Sequence, residues 1–358
     1  MRILLTTWQG KGAGSIQSVQ NLAEGLVARG HRIAVMTPGD GVLGRRLHGG
    51  PVEVIDHTFP AGWSATSARR LAGVVRAGRF DLVDAQESRD RKAAILARLF
   101  FGMRVPLLIS RRQMSHTFPI QNFVYGTVAD RVVANSHGVA KSLRGVPRRK
   151  ITVVSTGHNP VRVAGRVSEA EAEELRRGTE LKPELPTVGM VARRKDQETL
   201  LRALSRLNRP VNVLFVGVER DERLAALEPA LPPGSHTAYT GWVTRPAPYY
   251  RLLDVMALPS FNEGIPQAVF ESMALGVPVV AADIGGTAEA VIDGENGLLF
   301  PPGDAATLAD KLCQVLDDGE LRRRFQAKGR ETVAGPYHFD RMVEETERVY
   351  REILGASG

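Results

Sequence analysis

The chain has 358 residues, 43% hydrophobic and 24% charged, which is typical of a soluble globular protein with room for two domains. Its single cysteine, Cys313, excludes a disulfide framework and a cysteine metal cluster. No apolar run reaches the roughly 18 residues that a membrane-spanning helix needs. The short apolar run at the N-terminus lacks the features of a signal peptide, so we expect a cytoplasmic protein.

The net charge of +8 is unevenly distributed along the chain. Residues 1–160 hold 23 Lys and Arg against 9 Asp and Glu, a net charge of +14, whereas residues 161–358 hold 24 against 30, a net charge of −6. A basic half next to an acidic half indicates that the first half meets an anionic partner. Nucleic acid, an anionic membrane surface and a phosphorylated acceptor all fit, and so does an arginine-rich composition without functional meaning.

The first half has the pattern of an open α/β domain. An apolar strand at residues 2–8 leads through a glycine loop at residues 10–15 into a helix at residues 16–29. Gly30 ends that helix, and the next strand begins at Arg32. Such a strand–helix–strand unit predicts a parallel sheet with right-handed crossovers. Further strands are predicted at residues 82–85, 105–110, 131–134 and 151–154, and a helix at residues 89–101.

The second half repeats this alternation after a charged, irregular linker at residues 163–185. Strands are predicted at residues 187–191, 211–216, around residue 257 and at residues 277–281, with a helix at residues 197–207. We therefore predict an α/β protein with two doubly wound, Rossmann-like domains, residues 1–162 and 186–335. A final helix is predicted at residues 339–354.

Two glutamates eight residues apart, Glu263 and Glu271, stand in the most informative segment, residues 260–280. Its pattern predicts a strand, a loop and a helix, with Pro266 in the first turn of the helix. Glu263 then lies in the loop and Glu271 one turn into the helix. Carboxylates and free helix N–H groups thus converge on one pocket, which suits the paired hydroxyls of sugars and riboses. The alternative is a helix-capping glutamate and a solvated one.

This spacing resembles the Glu-x7-Glu motif of the retaining family 4 glycosyltransferases, whose GT-B fold has two Rossmann-like domains facing a cleft. The resemblance implies that the second domain binds a nucleotide sugar, that the first binds the acceptor, and that the final helix crosses back onto the first domain. It further implies that Glu271 accepts the ribose hydroxyls and Glu263 contacts the donor sugar. The N–H groups of Gly264 and Ile265 would bind sugar hydroxyls, and Pro266 belongs to the same donor-binding loop.

The basic run at residues 193–195 lies between a predicted strand and a predicted helix. Adjacent Arg and Lys side chains suit the neutralisation of a diphosphate leaving group. Lys195, followed by Asp196, is similar to the Lys-Asp of the family. We expect Lys195 and Arg193 to be catalytic and Arg194 to bind the donor; the two arginines could exchange roles, and a solvated basic turn is the alternative.

Two glycine segments also resemble parts of the family. The glycines of the first loop do not follow the dinucleotide-binding register, and no acidic residue ends the second strand, which disfavours NAD binding. Gly12 and Gly14 are instead expected near the donor diphosphate, unless the loop is a plain tight turn. Gly241 and Trp242 stand in a segment similar to the one that lies against the nucleobase in the family; the alternative is a strand end with Trp242 in the core.

The first domain matches the family more loosely. Many members carry a histidine near the end of the fourth or fifth strand, and neither segment supplies one here. We expect Arg111, Arg112 and His116 to bind the acceptor. The two arginines suit an anionic acceptor or the donor phosphates. A structural role is the alternative for His116.

Neither an Asp-x-Asp nor a His-x-x-x-His pair is present, so we expect no metal and no other cofactor. The resemblance implies a retaining hexosyltransferase that moves sugar from a nucleotide sugar, most often a UDP-sugar, to a glycan or lipid-linked acceptor of the bacterial cell envelope, such as a lipopolysaccharide core. Peripheral association with the inner membrane face is expected, and no nucleic-acid partner. The alternatives are a GT-B nucleotide-sugar epimerase, a basic nucleic-acid-binding protein and a catalytically silent GT-B subunit.

Overall fold

The computed structural model describes residues 1–8, 13–113, 119–159 and 168–355. The chain forms two compact units. The first consists of Met1–Gly157 together with Phe339–Gly358, and the second of His158–His338. Each unit has its own parallel sheet with helices, so the prediction of two doubly wound α/β domains is confirmed.

The described strands of the first unit form one parallel sheet. They are β1 (Arg2–Thr6), β2 (Arg32–Thr37), β3 (Glu53–Asp56), β4 (Leu82–Ala85), β5 (Leu107–Arg111), β6 (Arg131–Ala134) and β7 (Ile151–Val153). Their order in the sheet is β3-β2-β1-β4-β5-β6-β7. The order of the chain therefore reverses between β1 and β4, where α/β proteins bind ligands at the carboxyl ends of the strands.

Helices connect these strands. They are α1 (Ala13–Ala28), α2 (Val42–Leu47), α3 (Ala65–Gly78), α4 (Ser88–Phe100), α5 (Pro119–Val128) and α6 (His137–Ser142). Helix α1 begins at Ala13, earlier than predicted, because alanine is a strong helix former. Gly14 therefore lies in the first turn of α1 and not in a loop, whereas Gly12 lies outside the described residues.

Both faces of the first sheet are covered by apolar side chains. Successive residues of a strand point to opposite faces, so Ile3 and Leu5 pack in one layer with residues of α1. Leu4 packs in the other layer with residues of α3 and α4. Polar residues of this sheet are therefore placed at the ends of its strands, because both faces are covered by apolar side chains.

The second unit is also a parallel sheet. Its described strands are β8 (Thr187–Val191), β9 (Asn212–Val216), β10 (His236–Tyr239), β11 (Val255–Leu258), β12 (Val279–Ala282) and β13 (Leu298–Phe300). Their order is β10-β9-β8-β11-β12-β13. The reversal here falls between β8 and β11, which pair directly through Val255 and Val188.

The helices of the second unit begin before its first strand. They are α7 (Glu169–Gly178), α8 (Gln197–Leu204), α9 (Glu222–Ala225), α10 (Ala247–Tyr250), α11 (Gln267–Ala274), α12 (Thr287–Ala290), α13 (Ala305–Asp317) and α14 (Gly319–Ala334). Much of the predicted linker belongs to this unit, because Ala172 of α7 and Leu181 are buried in its core. Ser168 caps α7 by accepting a 3.1 Å hydrogen bond from the N–H of Glu171.

The last helix, α15 (Phe339–Ile353), belongs to the first unit and packs against α1. Its Met342 and Val343 join the apolar layer of α1. Its Tyr350 is fully buried and donates a 2.6 Å hydrogen bond to Asp84 at the end of β4. Among the helices of the described ranges, none combines the length and the apolar composition needed to cross a membrane.

Candidate active site

Two loops meet at the carboxyl edge of the second sheet. Residues 192–196 follow β8 and residues 259–266 follow β11, and these strands are neighbours at the reversal of the sheet. The ammonium group of Lys195 in the first loop contacts the carboxylate of Glu263 in the second. Their side chains are 26% and 12% exposed. The structure therefore brings together two of the residues that the sequence singled out.

The ammonium of Lys195 is less stable than that of an ordinary lysine. Burial and the nearby charge of Arg193 lower the pKa of Lys195 to about 8. The contact with Glu263 acts in the opposite direction, because a neighbouring carboxylate favours the charged form. Lys195 is consequently a cation at neutral pH that loses its charge in the mildly alkaline range.

Gln197 fixes the backbone of the loop that carries Lys195. Its buried side chain accepts a 2.8 Å hydrogen bond from the N–H of Lys195 and donates one of 3.0 Å to the carbonyl of Arg193. Asp196 caps α8 by accepting a 3.3 Å bond from the N–H of Thr199. The sequence analysis predicted neither role. The signal for Gln197 was its place as a polar residue directly after the helix-capping Asp196.

The two neighbouring arginines differ in their partners. Arg194 donates hydrogen bonds of 2.9 and 2.5 Å to the carboxylate of Glu198, and its Nε lies 3.1 Å from Asp221. Arg193 is exposed, and the described part of the chain gives its side chain no ion pair. Arg194 is therefore held by acidic residues of its own unit, which argues against its predicted donor contact and leaves Arg193 as the available arginine.

Glu271 lies one turn into α11, as predicted. Its Oε2 accepts a 3.0 Å hydrogen bond from the phenol of Tyr250, which is fully buried. Burial raises the pKa of Glu271 to about 7, although the hydrogen bond from Tyr250 opposes that rise. The carboxyl group is thus close to half ionised at neutral pH, and one of its oxygens is fixed by the protein.

The turn before α11 differs slightly from the prediction. Pro266 is the N-cap residue, with an extended ψ of 128°, and the helix begins at Gln267 rather than including Pro266 in its first turn. Gly286, after β12, packs against the same turn: a Cβ there would lie 2.7 Å from the carbonyl of Gly264 and 2.8 Å from the side chain of Ile265. A side chain at position 286 would therefore displace the turn, and glycine avoids this clash.

The segment after β10 contains Gly241 and Trp242, which the sequence places against the nucleobase. Gly241 has a φ of +63°, its N–H donates to the carbonyl of Val218 at 3.0 Å, and its carbonyl accepts from the N–H of Gly217 at 3.1 Å. Because both main-chain groups are bonded within the loop, Gly241 is poorly placed to read a base edge. Trp242 is 56% exposed, so the alternative that places it in the core is wrong.

The predicted acceptor residues of the first unit are only partly described. Arg111 ends β5 and is buried, with 5% of its surface exposed. Arg112 follows it and donates a hydrogen bond to the amide oxygen of Gln86. Nη1 of Arg112 is buried and has no partner among the described residues. His116 lies outside the described residues.

A buried polar network that the sequence did not reveal lies at this edge of the first sheet. Asp84 accepts hydrogen bonds from Ser110 at 2.8 Å and from Tyr350 at 2.6 Å. Asp90 accepts from the hydroxyl of Thr6 at 3.1 Å, across the reversal between β1 and β4. Burial raises the pKa of Asp90 to about 7. Asp84 is thus bonded through both oxygens, whereas Asp90 is bonded through Oδ2 and its buried Oδ1 has no partner among the described residues.

Within the described part of the chain, no three His, Cys, Asp or Glu side chains form a group that could hold a metal ion. Chemistry without a metal stays a prediction from the sequence.

Two family models match the chain. One is described as Glycosyl transferases group 1 and matches residues 171–332; the other is described as Glycosyltransferase Family 4 and matches residues 13–162. The two matches correspond to most of the second and the first unit, respectively.

Curated relatives align over part of their length. The chain is 30% identical to the lipopolysaccharide core biosynthesis glycosyltransferase LpsE of Rhizobium meliloti, over 58% of this chain and 60% of the relative. It is 33% identical to a D-inositol 3-phosphate glycosyltransferase of Nocardia farcinica, over 58% of this chain and 49% of the relative. The chain thus spans roughly half the length of these relatives.

Solved structures share the fold over nearly the whole chain. A glycosyltransferase from Rickettsia africae has a TM-score of 0.87 at 20% identity and covers 99% of both chains. HepE of Anabaena, solved in complex with UDP and glucose, has a TM-score of 0.83 at 19% identity and covers 98% of this chain and all of its own. At such identities the likeness establishes the GT-B fold.

Proposed function

Since the chain belongs to family 4 of the glycosyltransferases, we propose that it transfers a sugar from a nucleotide sugar to a hydroxyl of a glycan or lipid-linked acceptor. The observation that carries this proposal is the contact between Lys195 and Glu263 where β8 and β11 end. A cation suits a departing phosphate, and a carboxylate suits the hydroxyls of a sugar.

The second unit binds the donor. Glu271 accepts the ribose hydroxyls with the carboxylate oxygen that Tyr250 does not occupy. The N–H groups of Gly264 and Ile265 bind hydroxyls of the donor sugar, in the turn that Gly286 supports. A UDP-sugar is the proposed donor, supported by the complexes of HepE with UDP and with UDP-glucose.

The cationic residues act as the leaving group departs. The donor diphosphate draws Lys195 away from Glu263, and Lys195 together with Arg193 neutralises the charge that develops as the bond from sugar C1 to the phosphate oxygen breaks. Glu263 then orients the sugar. The acceptor oxygen bonds to C1 on the face that the leaving group vacates, its proton passes to a phosphate oxygen, and the anomeric configuration is retained. No metal is needed in this scheme.

The first unit binds the acceptor. Its half of the sequence carries the net charge of +14, which suits an anionic acceptor. The names of two relatives, a lipopolysaccharide core enzyme and an inositol 3-phosphate enzyme, support a cell-envelope or phosphorylated acceptor.

Thermal unfolding with a panel of nucleotides tests the donor proposal. UDP, GDP, ADP and CMP are compared in EDTA, since a ligand at about 100 times its dissociation constant stabilises by roughly 2.7 kcal/mol. We expect a shift with UDP that is lost in Glu271→Ala and kept in Glu331→Ala, a matched change at an exposed glutamate of α14. A chain that responds to none of them, or only with added metal, contradicts the proposal.

The stereochemical proposal has its own test. Once a donor and an acceptor are found, the anomeric configuration of the product is read by proton NMR before it can equilibrate. A product with the configuration of the donor supports retention, and the opposite anomer refutes it.

We also propose that the first unit associates with anionic membrane surfaces. Leu99 and Phe100 at the end of α4 are 54% and 71% exposed, and the guanidinium of Arg69 lies 5.5 Å from the centre of the adjacent Phe101 ring. Exposed apolar side chains beside basic ones suit an anionic lipid surface. Sedimentation with neutral and anionic vesicles tests this: binding to anionic vesicles alone, weakened by Phe100→Ser, is expected, and equal binding to both refutes it.

A further inference from the structure

Two arginines of the first unit are buried. Arg91 in α4 is 8% exposed, and Arg111 at the end of β5 is 5% exposed. Within the described ranges, neither side chain forms an ion pair. A guanidinium stays charged at any ordinary pH, so its burial is costly unless an anion compensates it.

Both guanidinium groups lie against the same aromatic ring. Cζ of Arg111 is 5.7 Å and Cζ of Arg91 is 5.9 Å from the centre of the Tyr125 ring. Tyr125 is itself buried and is held by a 2.6 Å hydrogen bond from Gln121 to its phenol oxygen. Cation–π attraction offsets only part of the cost of burying two like charges side by side. Burial and the charge of Arg91 lower the pKa of Arg111 to about 10, which still leaves it charged at neutral pH.

The donors of the two groups are largely unused. Arg91 donates one 2.8 Å hydrogen bond, from Nη1 to the carbonyl of Ser110, while its buried Nε has no partner among the described residues. The side chain of Arg111 forms no hydrogen bond within that part of the chain. Of the nearby acids, Asp90 accepts hydrogen bonds at Oδ2 from Thr6 and from the N–H of Gln86, while its buried Oδ1 has no partner among the described residues. The charge of Arg91 lowers the pKa of Asp90, but burial raises it to about 7, so Asp90 compensates Arg91 only in part at pH 7.

We propose that Arg91 and Arg111 form a binding site for a phosphate group, and that the acceptor carries this group. A phosphate monoester has a charge between about −1.5 and −2, which matches two guanidinium groups better than a carboxylate does. The pair lies at the carboxyl end of β5, the edge at which sheets of this kind bind ligands. The assignment to the acceptor rests on the proposed function, whereas the phosphate site does not.

Binding of inorganic phosphate to the full chain tests the site. The Lys195→Gln background weakens phosphate binding at the donor loop, and the comparison with Arg111→Gln assigns the shift that remains. Acetate serves as the carboxylate probe. We expect thermal unfolding to shift saturably with phosphate and not with acetate. Arg111→Gln should weaken phosphate binding at least 10-fold, whereas Arg148→Gln, the same change at an exposed arginine of this unit, should leave it unchanged.

Several results would overturn the inference. They are the lack of a saturable phosphate shift in the Lys195→Gln protein, an acetate shift as large as that of phosphate, and an undiminished shift in Arg111→Gln. If Arg111→Gln does not fold, Arg91→Gln is the second variant and should show the same loss. A purely structural role predicts a lower melting temperature with an unchanged phosphate shift.

The result for the phosphate site can be distinguished from the result for the proposed donor site. UDP binding to the Arg111→Gln protein with intact Lys195 should equal that of the unmodified chain. UDP binding without a phosphate site refutes this inference alone, and a phosphate site without UDP binding refutes the donor proposal alone.

Discussion

The phenol of Tyr250 donates a 3.0 Å hydrogen bond to Oε2 of Glu271. Tyr250 is the last residue of α10 and is fully buried, so the bond fixes the carboxylate of Glu271 from its buried side. Burial raises the pKa of Glu271, and this bond is the interaction that opposes the rise. Tyr250 is therefore expected to favour the ionised form of Glu271 and to orient its carboxylate, without touching the nucleotide.

The first prediction concerns Tyr250→Phe. Glu271 has a pKa of about 7, and its ionised form is the better acceptor for ribose hydroxyls, so UDP affinity should fall as the pH drops through 7. Removal of the Tyr250 hydroxyl raises that pKa further and should move the fall to higher pH. Titration calorimetry between pH 5.5 and 8.5, with Tyr249→Phe as control, measures it. Coincident pH profiles for Tyr250→Phe and the unmodified chain would contradict this role.

The second prediction concerns the charge of Lys195. Its lowered pKa means that the ammonium is present below pH 8 and lost as the pH rises through about 8. The kcat/KM of donor turnover should therefore fall above pH 8. Lys195→Arg should remove this alkaline fall, because a guanidinium keeps its charge, and Lys195→Ala should lower kcat by about 100-fold or more. An alkaline fall that persists in Lys195→Arg would assign it to another group.

The third prediction separates the two arginines. Both arginines are exposed, but Arg194 is paired with Glu198 and Asp221, whereas Arg193 forms no ion pair among the described residues. Arg193→Gln should lower kcat by about 10-fold or more, since it removes charge from the leaving-group site. Arg194→Gln, which makes the same chemical change, should alter kcat by less than about threefold, because a surface ion pair contributes little. Kinetics of the two variants side by side decide this, and a larger loss for Arg194→Gln would reverse the assignment.

The fourth prediction concerns the anchoring of α15. Burial opposes ionisation of Glu347, but hydrogen bonds from Arg29, Arg351 and His31 outweigh it and hold its pKa at about 2. This depressed pKa contributes stability above the unfolded-state pKa of about 4.3, and the contribution is lost as the pH falls toward 2. Glu347→Gln should reduce the free energy of unfolding by about 2 kcal/mol at pH 7.

Denaturant unfolding at pH 7 and at pH 3 checks the fourth prediction. The difference between Glu347→Gln and the unmodified chain should shrink at pH 3. Glu352→Gln, at an exposed position of the same helix near Arg131, should cost only about 0.5 kcal/mol or less. A difference that is as large at pH 3 as at pH 7 would show that packing, and not the charge of Glu347, is responsible.

Much of the fold follows from local patterns in the sequence. The strands that end at Thr37, Ala85 and Val191 were predicted because buried parallel strands are continuous apolar runs. The edge strand β3, with Glu53 and Asp56 at its ends, lacks such a run, as does β10 with His236. Edge strands are half exposed, so their composition resembles that of loops.

The candidate site was predicted in part. Glu263, Lys195 and Glu271 were identified from motif spacing and from their place between strand and helix. The residues that hold them in place, Tyr250, Gln197 and Gly286, come from different elements. They approach the site only when the sheet is formed, so hydrophobic periodicity along the sequence does not reveal them. The sequence likewise does not distinguish Arg193 from Arg194, because Asp221, which pairs with Arg194, lies in a different loop.

Titration of UDP into the unmodified chain, Glu271→Ala and Glu331→Ala, all in EDTA, decides whether Glu271 belongs to a nucleotide site. We expect saturable binding at one site without metal, a loss of at least about 10-fold in affinity for Glu271→Ala, worth about 1.4 kcal/mol, and unchanged affinity for Glu331→Ala. Equal affinity in all three proteins, or no binding to the unmodified chain, would contradict the assignment of this site to a nucleotide-sugar donor.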